Sequence, residues 1–446
     1  MKQQDLTQGG IVQNIFQFAV PYMFAYFLQI LYGLADMFVI GQYCEVDSIT
    51  AVSNGAQVMY FVTTVVIGLA MGTTVRLAHA IGAKDVRRAA QVMGNSVSMF
   101  ALVAVALAGV LLVSTSSIVD LIQTPVESVL GTKHYLYICF AGVPFIMAYN
   151  VIASIYRGLG DTQTPLCFVA IACVANIVLD YLFIGYMGLG PMGAALGTTL
   201  SQTFSVLCAL FAIRKQWSAY HLTRADFRFK SPILKNILKV GTPIALQDGF
   251  IQISFIVIAV IANTRGLVDA AAVGIVEKFI GLLFIIPSAM LSTVSAISAQ
   301  NIGAGQSLRA RKTMWSAMTI TFCYGIVAAA ITECLPESCI HIFTDNAQVV
   351  AQGADYLRSY VVDCALAGVH FCFSGYFTAC GYALISFAHN VVSIVIARIP
   401  LSYILSETYP TDLFPMGCAA PIGSTISIAI CVGAYWWLRR KNENEH

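Results

Sequence analysis

Two acids and two neutral oxygen-bearing residues stand at matching places in three long apolar stretches. Asp36 precedes Gly41 by five residues, Asp180 precedes Gly185 by five, and Thr198 follows Pro191 by seven. If each stretch is a helix crossing a bilayer, a rise of about 1.5 Å per residue sets all three roughly 8–10 Å below the same outer boundary. Asn176 lies four residues before Asp180, so the two share one helix face. Carboxylates inside a membrane are expensive and usually face a cavity or a partner. Two carboxylates, an amide oxygen and a hydroxyl are hard ligands of the kind that suit a hard cation such as Na⁺. Two close carboxylates in a low dielectric would instead share a proton. Either way the set reads as a cation or proton site that responds to an ion gradient. The competing reading makes Asp36 and Asp180 unrelated polar groups, each bonded to a neighbouring helix; the matched depths argue against it.

The elements that must position this set are membrane helices. The chain has 446 residues, 58% hydrophobic and 10% charged. Soluble domains carry about 25% charged residues, so this chain cannot cover a soluble surface of its size. Uncharged stretches of 18 or more residues recur, each long enough to span a bilayer. Twelve are expected, from about 14–40 to about 413–437. Helices are the default because lipid leaves every backbone amide to be paired internally; a β-barrel would need shorter alternating segments. The polar start at Met1–Gly10 and the length of the first apolar run do not match a cleaved signal peptide. The expected fold class is therefore an all-α membrane protein.

Basic residues set the orientation. With both termini cytoplasmic, most Lys and Arg fall on the cytoplasmic side, among them Arg76, Lys84, Arg87 and Arg88, and Arg214, Lys215, Arg224, Arg228 and Lys230. The loops on the other side carry acids such as Glu45, Asp120, Glu337 and Asp412. The basic middle segment thus reads as a topology signal and not as a nucleic-acid site.

The chain is also two copies of one unit. Pro21 matches Pro243, Ile81-Gly82-Ala83-Lys84 matches Ile302-Gly303-Ala304-Gly305, Gly160 matches Gly381, and Tyr181 matches Tyr403. The implied organisation is an N-lobe at 1–213, a cytoplasmic basic linker at 214–237 and a C-lobe at 238–446. Six spans per half give both halves one orientation, related by an axis along the membrane normal. Two such six-helix bundles are expected to enclose a central cleft. The acid cluster is not duplicated: Asp36 pairs with Ile258, Asp180 with Ser402, and Asn176 with a position near Ala397. The second half has its own acids, Asp248, Glu277 and Asp363, which would line the cleft and attract cationic substrates, form a second ion site, or else pair with Arg358, Lys278 or a backbone group. Arg398 is expected to be a structural partner. Tyr26, Gln29 and Tyr32 on the first span supply an adaptable wall for apolar ligands.

Other motifs carry little. Gly188-Leu-Gly190-Pro-Met-Gly193 reads GxGxxG, but a dinucleotide fingerprint needs a preceding strand and a following acid. Here the glycines shape a tight hairpin and let helices pack closely. The thirteen cysteines are read as small apolar fillers, and a pairing of Cys334 with Cys339 is not expected. His79, His134, His370 and His389 are far apart in the chain and are assigned no catalytic role. No nucleophile–base or metal constellation appears, so an enzyme is not expected, nor any cofactor beyond the ion.

The segments LYGLADMFVIGQY at 31–43, IGLAMGTTVRLAHAIGAKD at 67–85, YRGLGDTQTP at 156–165 and NIVLDYLFIGYMGLGPMGAALGTTLSQ at 176–202 resemble the MATE family, the multidrug and toxic compound extrusion transporters. So do VGTPIALQDG at 240–249, AVGIVEKFIGLLFIIPSAM at 272–290 and AQNIGAG at 299–305. The resemblance implies export of organic cations and other drug-like compounds in exchange for Na⁺ or H⁺. In the bacterial and archaeal branch it implies an ion site on Asp36, Asn176, Asp180 and Thr198, the set that depth alone selects. Another branch uses a Glu on span seven and an Asp on span ten; here span seven offers Ile251 or Gln252, so that site does not carry over, and Asp248 and Asp363 are only loose substitutes. The expectation is a monomeric antiporter in the plasma membrane, in contact with lipid and with small amphipathic cations, working by alternating access. The alternative is a flippase for a lipid-linked saccharide on a related fold.

Overall fold

The computed structural model describes residues 5–444; the side chains of 215, 216 and 441–444, Lys215 of the basic segment among them, lie outside the described set. Among the described residues there are twelve helices long and apolar enough to cross a membrane. They are α1 (Ile11–Tyr43), α2 (Val46–Gly82), α3 (Val86–Leu121), α4 (Val126–Gly158), α5 (Gln163–Tyr186) and α6 (Gly190–Ala219), then α7 (Ser231–Thr264), α8 (Leu267–Gly303), α9 (Ser307–Cys334), α10 (Ala347–Ala379), α11 (Ala383–Thr408) and α12 (Phe414–Arg440). No strand occurs among the described residues. The all-α, twelve-helix, duplicated plan expected from hydropathy is the plan observed.

The duplication is written into the backbone as well as the sequence. Lys84 and Gly305 close the turns after α2 and α8 with φ of 56° and 74°. Gly160 and Gly381 open the way into α5 and α11 with φ of 87° and 83°. These left-handed conformations are costly for most residues. Their recurrence at matched positions means the two halves turn their chains by the same device.

By their internal contacts the described residues form two units: one contains Gln17–Thr242, the other Thr7–Phe16 and the residues from Pro243 onward. In the first unit α4 packs against α2, α3 and α6, around a core that includes Leu77, Met93, Phe100 and Tyr156. In the second, α10 holds the equivalent place against α8, α9 and α12. α4 and α10 are the most buried of the twelve helices.

Small residues set the closest approaches, as is usual where lipid removes the hydrophobic drive between helices. In the first unit a Cβ on Gly72 would strike the carbonyl of Ile237, and one on Gly241 the carbonyl of Leu69. The first turns of α7 are thereby seated on α2, and Arg76 Nε donates to Asn236 O at 3.0 Å. The segment before α7 is equally fixed. Asp226 is fully buried and accepts from Thr223 N at 3.0 Å, Thr223 Oγ1 at 2.8 Å and Arg87 Nη1 at 2.9 Å. Asn95 on α3 donates to Asp226 O at 2.9 Å and accepts from Lys230 N at 2.7 Å. Burial alone would raise the Asp226 carboxyl; the Thr223 amide and hydroxyl and the Arg87 guanidinium outweigh it and hold the group below the usual carboxylate range. In the second unit Arg309 ties down the chain before α1, its Nη2 donating to Gln8 O at 2.8 Å and Gly9 O at 2.9 Å.

Prolines inside helices free carbonyls that need other donors. Pro287 in α8 leaves Leu283 O without its helical partner, and Tyr324 OH on α9 donates to it at 3.1 Å. All thirteen cysteines, Cys334 and Cys339 included, are free thiols.

Candidate functional site

The first-half set is assembled from three helices. α1 carries Asp36, α5 carries Asn176 and Asp180, and α6 carries Thr198. Thr198 Oγ1 donates to Asp36 Oδ2 at 3.0 Å. Asp180 and Asn176 lie close enough to interact with the same carboxylate. The four residues that matched depths single out are therefore neighbours. Asp36 is 5% exposed, Asn176 1% and Asp180 0%. Asp36 Oδ1, both polar atoms of the Asn176 amide and both Asp180 oxygens are buried without a hydrogen bond of ordinary geometry. A buried polar atom left unpaired costs about 1–3 kcal/mol. Among the described residues no Lys or Arg acts on either acid. The donor set fits a hard monovalent cation or a shared proton: oxygen ligands converge and no resident charge balances them.

Two features of the backbone make room for this convergence. A Cβ on Gly197, beside Thr198, would collide with Asp180 Oδ1. Immediately after Asp180 the chain widens into a π-helical turn, Tyr181–Tyr186, in which Met187 N reaches back to Leu182 O at 2.9 Å. Such turns are rare and recur at functional sites. The GxGxxG glycines belong to the same construction. Gly188 and Gly190 take φ of 64° and 53° in the hairpin. A Cβ on Gly193 would come within 3.0 Å of the Phe183 backbone.

Of the aromatic residues expected to face substrate, Tyr32 lies one helical turn from Asp36 and within its electrostatic reach, with Gln202 beside its hydroxyl. It belongs to the acid cluster's surroundings. Tyr26 sets its ring edge-on to Tyr22 at 5.1 Å, and the buried Arg157 guanidinium lies 5.2 Å from the Tyr22 ring centre. Gln29 is half-buried on the same helix.

The second half holds a different polar cluster. Asp363, 3% exposed, stands where α10 resumes after an interruption at Val362. Glu277 comes from α8, and Arg398 ends a π-helical turn in α11, Ser393–Arg398. Arg398 Nη2 donates to Tyr360 OH. Its guanidinium carbon lies 4.6 Å from the Phe255 ring centre and 5.7 Å from that of Tyr360. Its charge reaches Asp363 and Glu277, but among the described residues no ion pair joins it to either. Arg358 and Lys278, the partners weighed from sequence, do not serve: Arg358 lies 3.8 Å from Glu333 and 3.6 Å from Asp355, and Lys278 is exposed. Asp248 stands apart, half-buried on α7 with no charge acting on it. Its neighbour Gln247 accepts from Ser386 Oγ at 2.9 Å.

Sequence reasoning missed the histidines. His370 and His389 are distant in the chain, yet their rings lie 5.7 Å apart. His389 bridges Ser374 on α10 (Nε2–Oγ 2.7 Å) and Ser427 on α12 (Nδ1–Oγ 2.6 Å). His370 Nε2 meets Ser424 Oγ at 3.3 Å. Both residues are buried. The available signal was a serine every three or four residues on α12, Ser424 and Ser427, facing a His-bearing neighbour. Gly160 with Gly381 gives a displacement of 221 and Tyr181 with Tyr403 one of 222, so Asn176 falls opposite Ala397 or Arg398.

The MatE family model matches residues 21–182 and again 243–404. The probable multidrug resistance protein YpnP of Bacillus subtilis (strain 168) is 27% identical over 438 residues, covering 98% of this chain and 97% of its own. The probable multidrug resistance protein NorM of Thermotoga maritima is 24% identical, covering 96% of this chain and 93% of its own. Among solved structures, a MOP-superfamily transporter from Pyrococcus furiosus Vc1 (DSM3638) is similar with a TM-score of 0.91 at 23% identity, covering 99% of this chain and 98% of that one.

Proposed function

The chain belongs to the MatE family, the multidrug and toxic compound extrusion transporters, and on that premise we propose that it exports amphipathic organic cations in exchange for Na⁺ or H⁺ bound at Asp36, Asn176, Asp180 and Thr198. It is a multi-pass membrane transporter and not an enzyme. The observation that carries the coupling role is the meeting of two buried carboxylates with no basic partner among the described residues. A cation or proton entering there neutralises the acids and satisfies atoms that are otherwise unpaired. The chain can respond locally, because Pro21 removes one backbone bond from α1, and α5 leaves regular α-helix directly after Asp180. An ion drives such a change only through its different affinity for two states. One elementary charge falling through 100 mV supplies about 2.3 kcal/mol.

The substrate class rests on the relatives, named multidrug resistance and multidrug export proteins. The flippase reading is not favoured: Arg157 is taken up by Tyr22 and Arg398 by Tyr360 and Phe255, which leaves little buried basic charge to hold a pyrophosphate. The excess of basic residues in the middle segment and after α2 supports plasma-membrane insertion with both termini inside. The test is efflux in sealed vesicles under an imposed Na⁺ or H⁺ gradient. Asp36→Asn and Asp180→Asn each abolish gradient-driven export while the protein still folds; full export in both variants refutes the role. Thermal shift in Na⁺ against K⁺ across pH identifies the ion.

A further inference from the structure

We propose that the stretch from Arg214 to Lys239 is a docking surface for the anionic phospholipids of the leaflet it borders. Arg224, Arg228, Lys235 and Lys239 take the headgroups, and Phe229 enters the acyl boundary. The inference stands apart from the ion site and from the exported compound.

The stretch carries seven Lys and Arg and a single acid, Asp226. That acid is fully buried and turned inward, 2.9 Å from Arg87 and 3.9 Å from Lys230. It offsets none of the other cations. Arg224, Arg228, Lys235 and Lys239 are exposed, and among the described residues no ion pair engages any of them. Lys235 and Lys239 stand one turn apart on the exposed face of α7, with the half-exposed Leu238 on the same side. Each Lys or Arg held near an anionic membrane surface strengthens binding about fivefold.

A bias of basic residues toward one side of the membrane accounts for the sign of this charge, but not for the way it is held. Ser98 Oγ on α3 donates to Phe227 O at 2.7 Å, and Lys230 N donates to Asn95 Oδ1 at 2.7 Å. Arg228 and Phe229 lie between these two fixed points. A Cβ on Gly94 would come within 2.5 Å of Asp226 O, so the segment rests directly on the α3 backbone. Trp217 sets its ring edge-on to Phe227 at 5.7 Å. Phe229, next to Arg228, is nevertheless 56% exposed. An exposed aromatic ring flanked by cations offers apolar surface and positive charge at one level, as interfacial anchors do. A topology signal needs neither the fixed backbone nor the exposed ring. A surface already ordered loses less entropy when headgroups dock on it.

The experiment follows the melting temperature of the purified full chain in neutral detergent as phosphatidylglycerol is added, with phosphatidylcholine and free glycerol phosphate as controls. Phosphatidylglycerol raises the melting temperature and neither control does. The midpoint of its titration moves to higher lipid as salt is raised, because salt screens exposed charges. Arg224→Gln, Arg228→Gln, Lys235→Gln and Lys239→Gln together raise the midpoint at least about a hundredfold and leave melting without lipid unchanged. Phe229→Ser raises it about tenfold. No shift with phosphatidylglycerol, an equal shift with phosphatidylcholine, or a midpoint that ignores salt overturns the proposal. So does an equal shift with glycerol phosphate alone, which assigns the cations to a soluble phosphate ligand. A fourfold variant that keeps the parental midpoint overturns it too. Where that variant does not fold, Lys235→Gln with Lys239→Gln carries the same test: the midpoint rises at least about tenfold, Lys235→Arg with Lys239→Arg keeps it parental, and an unmoved midpoint in the Gln pair overturns the proposal.

Discussion

The two halves share their helix plan and even their left-handed turns, yet they treat buried charge in different ways. In the first half, Asp36 and Asp180 meet with only Thr198 Oγ1 donating to the pair within ordinary geometry. In the second, the Arg398 charge reaches Asp363 and Glu277 without an ion pair to either among the described residues, and hydroxyl–imidazole contacts join α10 to α11 and α12. Duplication fixes backbone geometry, because capping turns and close helix crossings must recur for the fold to recur. It does not fix charge, which single substitutions can change. Asp36 and Asp180 are left to be balanced from outside.

The largest expected effect breaks this contrast directly. Asp36→Asn or Asp180→Asn lowers gradient-driven efflux at least about tenfold, equivalent to about 1.4 kcal/mol or more of lost coupling, and leaves melting in the absence of ion unchanged or raised. Asp363→Asn does the reverse: it leaves Arg398 under-compensated and costs about 1–3 kcal/mol of stability, read as a lower melting temperature. Equal behaviour of the two halves in these assays would end the comparison.

Gly197→Val sharpens it from the steric side. Its side chain occupies the space of Asp180 Oδ1, an overpacking worth about 1–3 kcal/mol, and the ion-dependent thermal shift shrinks or disappears. His389→Leu removes the bridge between Ser374 and Ser427 and orphans two buried hydroxyls, at a cost of about 1–3 kcal/mol. Melting falls while the first half's ion response persists; a lost ion response would show that the halves do not divide their roles.

The smallest effect lies outside the bilayer. The folded state holds Asp226 below its ordinary range, so its contribution is present above the unfolded carboxylate pKa and fades as pH falls through the folded one. Asp226→Asn is therefore modestly less stable than the parent near neutrality, and the two melting curves converge in acid. Arg87 is half exposed, which weakens its share through screening. A difference that widens in acid would contradict this account.

The amino-acid sequence was enough for the twelve spans, because lipid demands about twenty apolar residues per helix and every backbone amide satisfied within it. It was enough for the duplication and for Asp36, Asn176, Asp180 and Thr198 as one set, because depth along a helix is a count of residues. It did not reveal that Gly197 clears space for Asp180, that His370 meets His389, or that Arg358 pairs with Glu333 and Asp355 and not with Asp363. Those depend on how each helix is rotated about its axis and on which helices touch. A span that is apolar nearly all round carries little signal for rotation, so only tertiary packing, through small-residue contacts and π-helical turns, decided which charges face each other.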